Sequence, residues 1–229
     1  MKPVVFIFLF IPLLALSGEV EDYKLLLKNL SEAKSLSGLV ETHYYHAGKQ
    51  AAYKIEKGEF AYANKNSYVK YDNYVTVNDG KQQLVVDSQK KIIILDGVDK
   101  SELSKEFTEQ MKLPAITDSL IKKQISLKYI LNNETTKILQ LVTTKKSNYE
   151  KIEIEMNAAA TALKRITYYF SGSGGGPSKI DVLYKSMVLD ETVNDKLFSF
   201  SKFISLTKSG VTLLPAYSSY ELIDYRKRK

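Results

Sequence analysis

The sequence predicts a mainly β protein: an incomplete (half) antiparallel β-barrel of about eleven strands, covered by an N-terminal helix and a mid-chain helical insertion. Short runs of β-branched and aromatic residues follow one another along most of the chain, as consecutive strands do. Turn residues separate these runs, most clearly Asn78-Asp79-Gly80, whose residue types suit the positive φ angles of a hairpin turn. Apolar residues recur at three- and four-residue spacing in only two stretches, which predicts the helical elements.

Residues 1–17 have the features of a secretory signal peptide. Met1-Lys2 is a short positive segment, Val4 to Leu16 is almost wholly apolar, and Ala15-Leu16-Ser17 offers small residues for cleavage. A membrane anchor is the alternative, but the apolar run is shorter than the ~20 residues of a spanning helix. No cysteine follows, which excludes lipid attachment there. We therefore expect one soluble domain, residues 18–229, in the periplasm of a cell with two membranes.

The composition excludes several kinds of site and disfavours one class of partner. The chain has no cysteine, which excludes disulfides, thiolate metal sites and cysteine nucleophiles. Its formal net charge of +7 comes from lysine, since Arg165, Arg226 and Arg228 are the only arginines. Base recognition relies heavily on arginine, so we expect no nucleic-acid partner. Lysines in this number are typical of a solvated surface, or of attraction to an anionic membrane face.

The pattern of the first third predicts one helix and then strands. Apolar side chains recur every three or four positions in residues 21–36, which predicts a helix that Ser37-Gly38 ends. A turn or bulge is predicted at Lys57-Gly58. The predicted strands run from Leu39 to Ala47, Ala51 to Lys57, Glu59 to Ala63 and Tyr68 to Tyr71.

The central part of the chain predicts a meander and then a helical lid. Tyr74 to Val77, Leu84 to Val86 and Ile92 to Leu95 are three strands joined by tight turns. After Gly97 the period changes, because Asp99 and Glu102 form a capping-box pattern. The predicted insertion covers residues 99–124, and its apolar stripe consists of Leu103, Phe107 and Met111.

The last part of the chain predicts further strands. In Tyr149 to Met156, apolar residues at every second position alternate with lysine and glutamate. Other strands are predicted at 125–131, 135–144, 163–170 and 180–184, with a flexible hairpin loop from Ser171 to Pro177. The segments 197–200, 211–214 and 220–225 are predicted to complete the sheet.

None of the polar constellations predicts catalysis or metal binding. His43 and His46 are the only histidines, and their spacing on a strand sends them to opposite faces. The glycine-rich loop lacks a following Gly-Lys-Ser/Thr and enters a strand, unlike a phosphate-binding loop. Glu153 and Glu155 have lysine neighbours, so a solvated outer face is favoured over a glycosidase pair. We expect no catalytic residue, no metal and no cofactor.

The apolar strand faces leave two interpretations open. They form either a packed core or a partly unfilled apolar surface that suits acyl chains, and the pattern favours neither. The second interpretation predicts a lining from one parity of each strand, with the lid stripe above it. The predicted lining residues are Phe60, Tyr62, Tyr68, Val75, Val77, Leu84, Val86, Ile92, Ile94, Ile152, Ile154, Met156, Ile166, Tyr168 and Phe170.

Several segments resemble the periplasmic outer-membrane lipoprotein carrier family (LolA-like). The run from Tyr74 to Leu84 is similar to that family's strand, Ser-Asp-Gly-Lys turn and aromatic strand, and Gln89 lies before the next strand. Gly58-Glu59-Phe60 and the ending Phe198-Ser199-Phe200 are also similar to family segments. Asn64-Lys65 stands where the family has Arg-Pro, a pair tied to lid closure, and tryptophan is absent.

The resemblance implies a non-enzymatic carrier that shields the acyl chains of lipoproteins, or of a related lipid, during transfer to the outer membrane. It also implies two docking partners, an inner-membrane releasing complex and an outer-membrane acceptor. We expect a monomer. The alternative is a structural or interaction module of the cell envelope with the same fold, its trough filled by side chains. An enzyme acting on lipids is disfavoured, because no nucleophile–base pair is evident.

Overall fold

The computed structural model describes residues 18–97, 125–143, 149–171, 176–207 and 210–227. The predicted signal peptide and the predicted lid, with Leu103, Phe107 and Met111, lie outside these residues. Helix α1 (Gly18–Glu32) comes first in the described part of the chain. The first six strands are β1 (Ser35–Tyr45), β2 (Lys54–Ala63), β3 (Asn66–Tyr71), β4 (Tyr74–Asn78), β5 (Gln82–Asp87) and β6 (Ile92–Gly97). The others are β7 (Ile125–Asn132), β8 (Thr136–Thr143), β9 (Tyr149–Asn157), β10 (Leu163–Phe170), β11 (Lys179–Leu189), β12 (Ile204–Thr207), β13 (Gly210–Leu213) and β14 (Glu221–Asp224).

Twelve of these strands form one open sheet in the order β14-β6-β5-β4-β3-β2-β1-β11-β10-β9-β8-β7. Every pair in it is antiparallel except β14 and β6, which run parallel. Strands β12 and β13 form a separate hairpin. The predicted fold class, a mainly β incomplete barrel covered by a helix, is therefore confirmed.

Four local predictions were wrong. Strand β2 runs from Lys54 to Ala63 without the turn predicted at Lys57-Gly58, because β1 and β3 pair with it on both sides. Residues 197–200 contain short 3₁₀ turns, Asp195–Phe198 and Phe200–Lys202, rather than a strand. The segment 211–214 pairs with β12 instead of joining the large sheet. The helix ends at Glu32, which leaves residues 35 and 36 in β1.

Helix α1 is held on the sheet by one apolar and one polar contact. Tyr23 and Leu26 lie three positions apart on one helical face, and both are fully buried against a cluster that contains Leu139, Ile154 and Met156. Nearer the start of the helix, the Asp22 carboxylate accepts hydrogen bonds from the Tyr129 hydroxyl and the Lys137 ammonium. The helix therefore covers the part of the sheet formed by β7 to β10.

The two faces of the sheet are covered by different parts of the chain. Residues paired across antiparallel strands project to the same face, which makes the faces traceable from strand to strand. We call the face against which α1 packs the helix face, and trace it from Ile154 through Ile166, Val182 and Thr42 to β1. It continues from Gly38 through Phe60, Val69, Thr76 and Val85 to Ile94.

The opposite face is covered over β2 to β6 by the C-terminal tail, residues 190–227, and we call it the tail face. Its trace is Ala61, Tyr68, Val77, Leu84 and Leu95. These residues share one buried cluster with four side chains of the tail, which are Phe198, Phe200, Phe203 and Ile204. Both faces of the first half of the sheet are therefore partly buried.

Two glycines let aromatic rings lie against the strands of the helix face. A Cβ at Gly38 would lie 2.9 Å from Phe60 Cζ and 2.0 Å from the Ser186 carbonyl oxygen. A Cβ at Gly58 would lie 2.9 Å from the Tyr71 ring. The register of β1 against β11 shifts between Leu39 and Val40, beside Gly38. Glycines and bulges are typical of strands that other groups approach closely and of places where the register shifts, and Gly38 lies where both occur.

Within the described residues, no helix is long and apolar enough to cross a membrane.

The close packing at Gly38 predicts that Gly38→Ala destabilises the fold. The new Cβ would overlap a backbone oxygen, so we expect a loss of about 1–3 kcal/mol in the free energy of unfolding, measured with urea. Gly97→Ala is the matched control, because a Cβ at Gly97 has no atom within 4 Å. Equal stabilities of the two variants would contradict the close packing at Gly38.

The contact of α1 with the sheet predicts a strong effect of Leu26→Ala. Leu26 is fully buried, so truncation should cost about 2–5 kcal/mol in the free energy of unfolding. Its neighbour Leu25 is 40% exposed, and Leu25→Ala should change that free energy by less than about 0.5 kcal/mol. A small effect of Leu26→Ala would mean that α1 is not part of the core.

Candidate functional site

The structure divides the fifteen predicted lining residues between the two faces. The helix face carries Phe60, Tyr62, Ile92, Ile94, Ile152, Ile154, Met156, Ile166, Tyr168 and Phe170. The tail face carries Tyr68, Val75, Val77, Leu84 and Val86, which pack in or against the cluster of the tail. These five cannot share a surface with the other ten, so a single lining made of all fifteen was wrong.

The error has a physical cause in strand β5. Gln83 to Asp87 are all buried: Leu84 and Val86 lie under the tail, and Gln83, Val85 and Asp87 lie on the helix face. A strand buried on both faces has no hydrophobic alternation. The sequence therefore does not indicate which parity points to which side.

Helix α1 fills only part of the helix face. It has 15 residues and is about 22 Å long, whereas a sheet of twelve strands is about 50 Å wide. Ile152, Ile154, Met156 and Ile166 are buried in the cluster that includes Tyr23 and Leu26. These four predicted lining residues belong to the packed core beneath the helix.

The other part of the helix face carries partly exposed apolar and aromatic side chains beside buried ones such as Phe60 and Val85. We call it the inner surface and define it by Tyr62, Val69, Tyr71, Tyr74, Ile92, Ile94, Tyr149, Tyr168 and Phe170. Tyr62 and Tyr74 are 43% and 41% exposed, and Tyr149 is 37% exposed. The ring of Tyr149 lies 5.4 Å from that of Tyr168 and 5.2 Å from that of Phe170, which makes an aromatic cluster at one end. Large side chains with such exposure leave room for contact with an apolar guest.

Sequence reasoning missed four members of the inner surface, Val69, Tyr71, Tyr74 and Tyr149. Val69 pairs with Phe60, which is a predicted lining residue. A predicted register between β2 and β3 would therefore have identified Val69 as a residue of the same face. Tyr149 reaches this face because the register of β9 against β10 is irregular between Tyr169 and Phe170. No sequence pattern signals that irregularity.

Two hydroxyl groups of the inner surface, those of Tyr71 and Tyr74, are bonded to the protein itself. Tyr74 donates to Asp87 Oδ2 at 2.7 Å, and the hydroxyl of Tyr71 is hydrogen-bonded to Thr42. Beside them, the Tyr44 hydroxyl donates to Glu56 Oε2 at 2.6 Å. Burial raises the pKa of Tyr71 and Tyr184, and burial with repulsion from Tyr149 raises the pKa of Tyr168 to about 12. These tyrosines are therefore neutral and present an apolar surface.

The charged residues considered in the sequence lie on the opposite side of the sheet. The Glu153 carboxylate forms an ion pair with Lys151 Nζ at 2.7 Å, and the Glu155 carboxylate forms one with Arg165 at 2.9 Å. His43 lies beside Glu41 at 3.3 Å. Each carboxylate is thus held in an ion pair on a face that points away from α1, which does not favour an acid–base pair. The expected solvated face is only partly exposed, since the side chains of Glu153 and Glu155 are 14% and 24% exposed.

Comparisons with known proteins find likenesses among solved structures only. No protein-family model matches the chain, and no curated protein is significantly similar to it. An uncharacterized conserved protein from Thermus thermophilus is 10% identical, with 90% of this chain and 98% of that chain covered and a TM-score of 0.48.

Two other structures carry more informative names. A LolA superfamily protein from Nitrosomonas europaea is 11% identical, with 82% of this chain and 100% of that chain covered and a TM-score of 0.34. The lipoprotein LppX from Mycobacterium tuberculosis is 12% identical, with 76% of this chain and 96% of that chain covered and a TM-score of 0.42. A LolA superfamily protein is thus among the structures that this chain resembles. Such distant likenesses concern the fold alone.

The buried tyrosines predict a loss of stability at alkaline pH. A tyrosine whose pKa is raised on folding stabilises the fold fully below its unfolded pKa of about 10. That contribution is lost as the pH rises through the folded pKa, which for Tyr168 is about 12. We expect the midpoint of thermal unfolding to fall above pH ~10, and to fall less steeply in Tyr168→Phe.

The exposed Tyr53 provides the control for this experiment, since it is 48% exposed. Tyr53→Phe should leave the alkaline slope as in the unmodified protein. If Tyr168→Phe and Tyr53→Phe change the slope equally, the position of Tyr168 in the apolar cluster is not the cause.

Proposed function

We propose that the protein is a periplasmic carrier that shields acyl chains of lipoproteins, or of a related lipid, on its inner surface during transfer to the outer membrane. The observation that supports this most directly is the half-exposed apolar surface beside α1, with Tyr62 and Tyr74 more than two-fifths exposed. The sequence resemblance to the LolA-like carriers points to the same class of cargo.

The energetics favour an open surface of this kind. Each CH₂ group of an acyl chain gains about 0.8 kcal/mol when it leaves water. Full burial of three chains of ~16 carbons would exceed the ~20 kcal/mol at which non-covalent affinity saturates. A carrier must also release its cargo. A partly covered surface binds the chains strongly enough to protect them and weakly enough to pass them on.

The same proposal includes two docking partners and no chemistry. An inner-membrane complex would deliver the lipoprotein, and an outer-membrane acceptor would receive it. The acyl chains change their surroundings while every covalent bond stays intact, so the role requires neither a nucleophile nor a cofactor. Within the described residues, no three or more histidine, aspartate or glutamate side chains gather into a possible metal site.

The proposal predicts that Tyr62→Glu weakens binding of acylated peptides. A carboxylate on the inner surface would have to be desolvated by the acyl chain, so we expect at least a tenfold loss of affinity. The measurement is titration of residues 18–229 with a fluorescent triacylated lipopeptide, with the same peptide without acyl chains as the ligand control.

Ile55→Glu is the matched protein control for this prediction. Ile55 lies on the same strand, is 49% exposed and points to the opposite face of the sheet. It should keep the affinity of the unmodified protein. Equal losses in both variants, or no binding by the unmodified protein, would reject the inner surface as the site and favour a structural module of the cell envelope.

A further inference from the structure

The hairpin between β1 and β2 ends in an exposed aromatic pair. The rings of His46 and Tyr53 are stacked, with their centroids 3.9 Å apart and their planes within 11°. Tyr53 is 48% exposed. Stacking fixes the orientation of the tyrosine ring although the ring stands in solvent. The hairpin therefore presents a preorganised amphipathic tip.

The same hairpin carries an excess of positive charge. Lys49, Lys54 and Lys57 lie between residues 46 and 57, and Glu56 is the one carboxylate in that range. The side chains of Lys54 and Lys57 are 55% and 74% exposed, and they pair with Glu56 at 2.7 Å and with Glu41 at 3.8 Å. Lys49 adds a further exposed positive charge at the tip of the hairpin. Tyrosine and lysine are the residue types that occupy the interface of a bilayer, the first at the level of the headgroups and the second against anionic lipids.

The tip is continuous with the inner surface. The backbone N–H of Tyr53 donates to the Tyr44 carbonyl at 2.9 Å, and the two rings lie 6.4 Å apart. Tyr44 shares the helix face with Thr42, which is hydrogen-bonded to Tyr71 of the inner surface. Aromatic side chains therefore lead from the exposed tip to the surface proposed to hold acyl chains.

The hairpin also lies at the end of the sheet away from the anchored start of α1. Asp22 binds Tyr129 and Lys137 beside the turn that joins β7 to β8. The antiparallel pairs from β8 through β9, β10 and β11 to β1 show that this turn and the β1–β2 hairpin lie at opposite ends of the sheet. A bilayer that contacts the hairpin would thus face the end that the start of α1 does not occupy.

From these observations we propose that the β1–β2 hairpin docks the protein on an anionic lipid bilayer, with Tyr53 at headgroup depth and Lys49 against the anionic headgroups. The proposal rests on the proposed function, because it gives the acyl chains a path from the bilayer along Tyr44. A protein partner at this hairpin is the competing occupant. The exposed tyrosine, the positive excess and the continuity with the inner surface favour the bilayer.

The test is cosedimentation of residues 18–229 with vesicles, at low and at high salt. Vesicles of equimolar phosphatidylcholine and phosphatidylglycerol should bind the protein, whereas pure phosphatidylcholine vesicles should bind it at least tenfold more weakly. Lys49→Gln should lower the partition coefficient about fivefold on the anionic vesicles, and Tyr53→Ser should lower it further. Added salt should weaken binding of the unmodified protein and reduce the difference caused by Lys49→Gln.

Matched controls lie elsewhere on the surface. Lys81→Gln removes an exposed lysine at the turn between β4 and β5, at the opposite end of the sheet, and Leu206→Ser removes a residue that is 48% exposed. Both should bind the vesicles like the unmodified protein. Hairpin variants that bind as well as these controls would overturn the proposal, and so would equal binding to neutral vesicles.

Binding of the soluble triacylated lipopeptide separates this proposal from the proposed function. Lys49→Gln and Tyr53→Ser should keep the lipopeptide affinity of the unmodified protein while their vesicle binding falls. If lipopeptide binding is absent and the hairpin still determines vesicle binding, the carrier function fails and membrane docking stands. If the lipopeptide binds and no hairpin variant loses vesicle binding, the docking proposal alone fails.

Discussion

The length of α1 relative to the width of the sheet is the constraint on which the rest of the structure depends. A helix of this length crosses only a few strands, so it can complete a core with β7 to β10 but not with the whole sheet. Tyr23 and Leu26 are fully buried where the helix lies, while Tyr62 and Tyr74 remain half exposed on the same face further along. One continuous face thus has a part packed under the helix and a part where exposed tyrosines stand beside buried residues, and the proposed function belongs to the second part.

Sequence reasoning recovered what is encoded locally. The turns and alternating strands between Tyr74 and Leu95, and the amphipathic helix, depend on residues close in the chain. It failed where strand pairing or burial depends on segments that are far apart in the chain. Strand β14 joins β6 in parallel across more than a hundred residues, and the tail buries Leu84 on the face opposite to Val85. The assignment of lining residues needed that information, because a strand covered on both sides has no alternation to read.

The tail has two structural effects that a simple half-barrel lacks. Phe198, Phe200 and Phe203 of the tail, together with Ile204, bury the tail face of β2 to β6. Its strand β14 pairs with β6, and Arg226 fixes that strand by bonding Asp224 at 2.9 Å and Gln82 at 3.0 Å. An unpaired strand edge is a site for unwanted pairing with other chains. With β6 paired, the edge strand at this margin is β14, which has only 4 residues, and short edge strands limit such pairing.

The choice of tyrosine over aliphatic residues on the inner surface fits the demands of reversible binding. A tyrosine offers a large apolar ring to an acyl chain, and its hydroxyl must be satisfied when that ring is covered. Here the Tyr74 hydroxyl already donates to Asp87, and the neighbouring Tyr44 hydroxyl donates to Glu56, so covering these two rings would leave their hydroxyls paired. Before an acyl chain binds, the same side chains are hydrated more favourably than leucine or isoleucine side chains would be. A surface built in this way can stay open without collapsing on itself and can still bind an apolar chain.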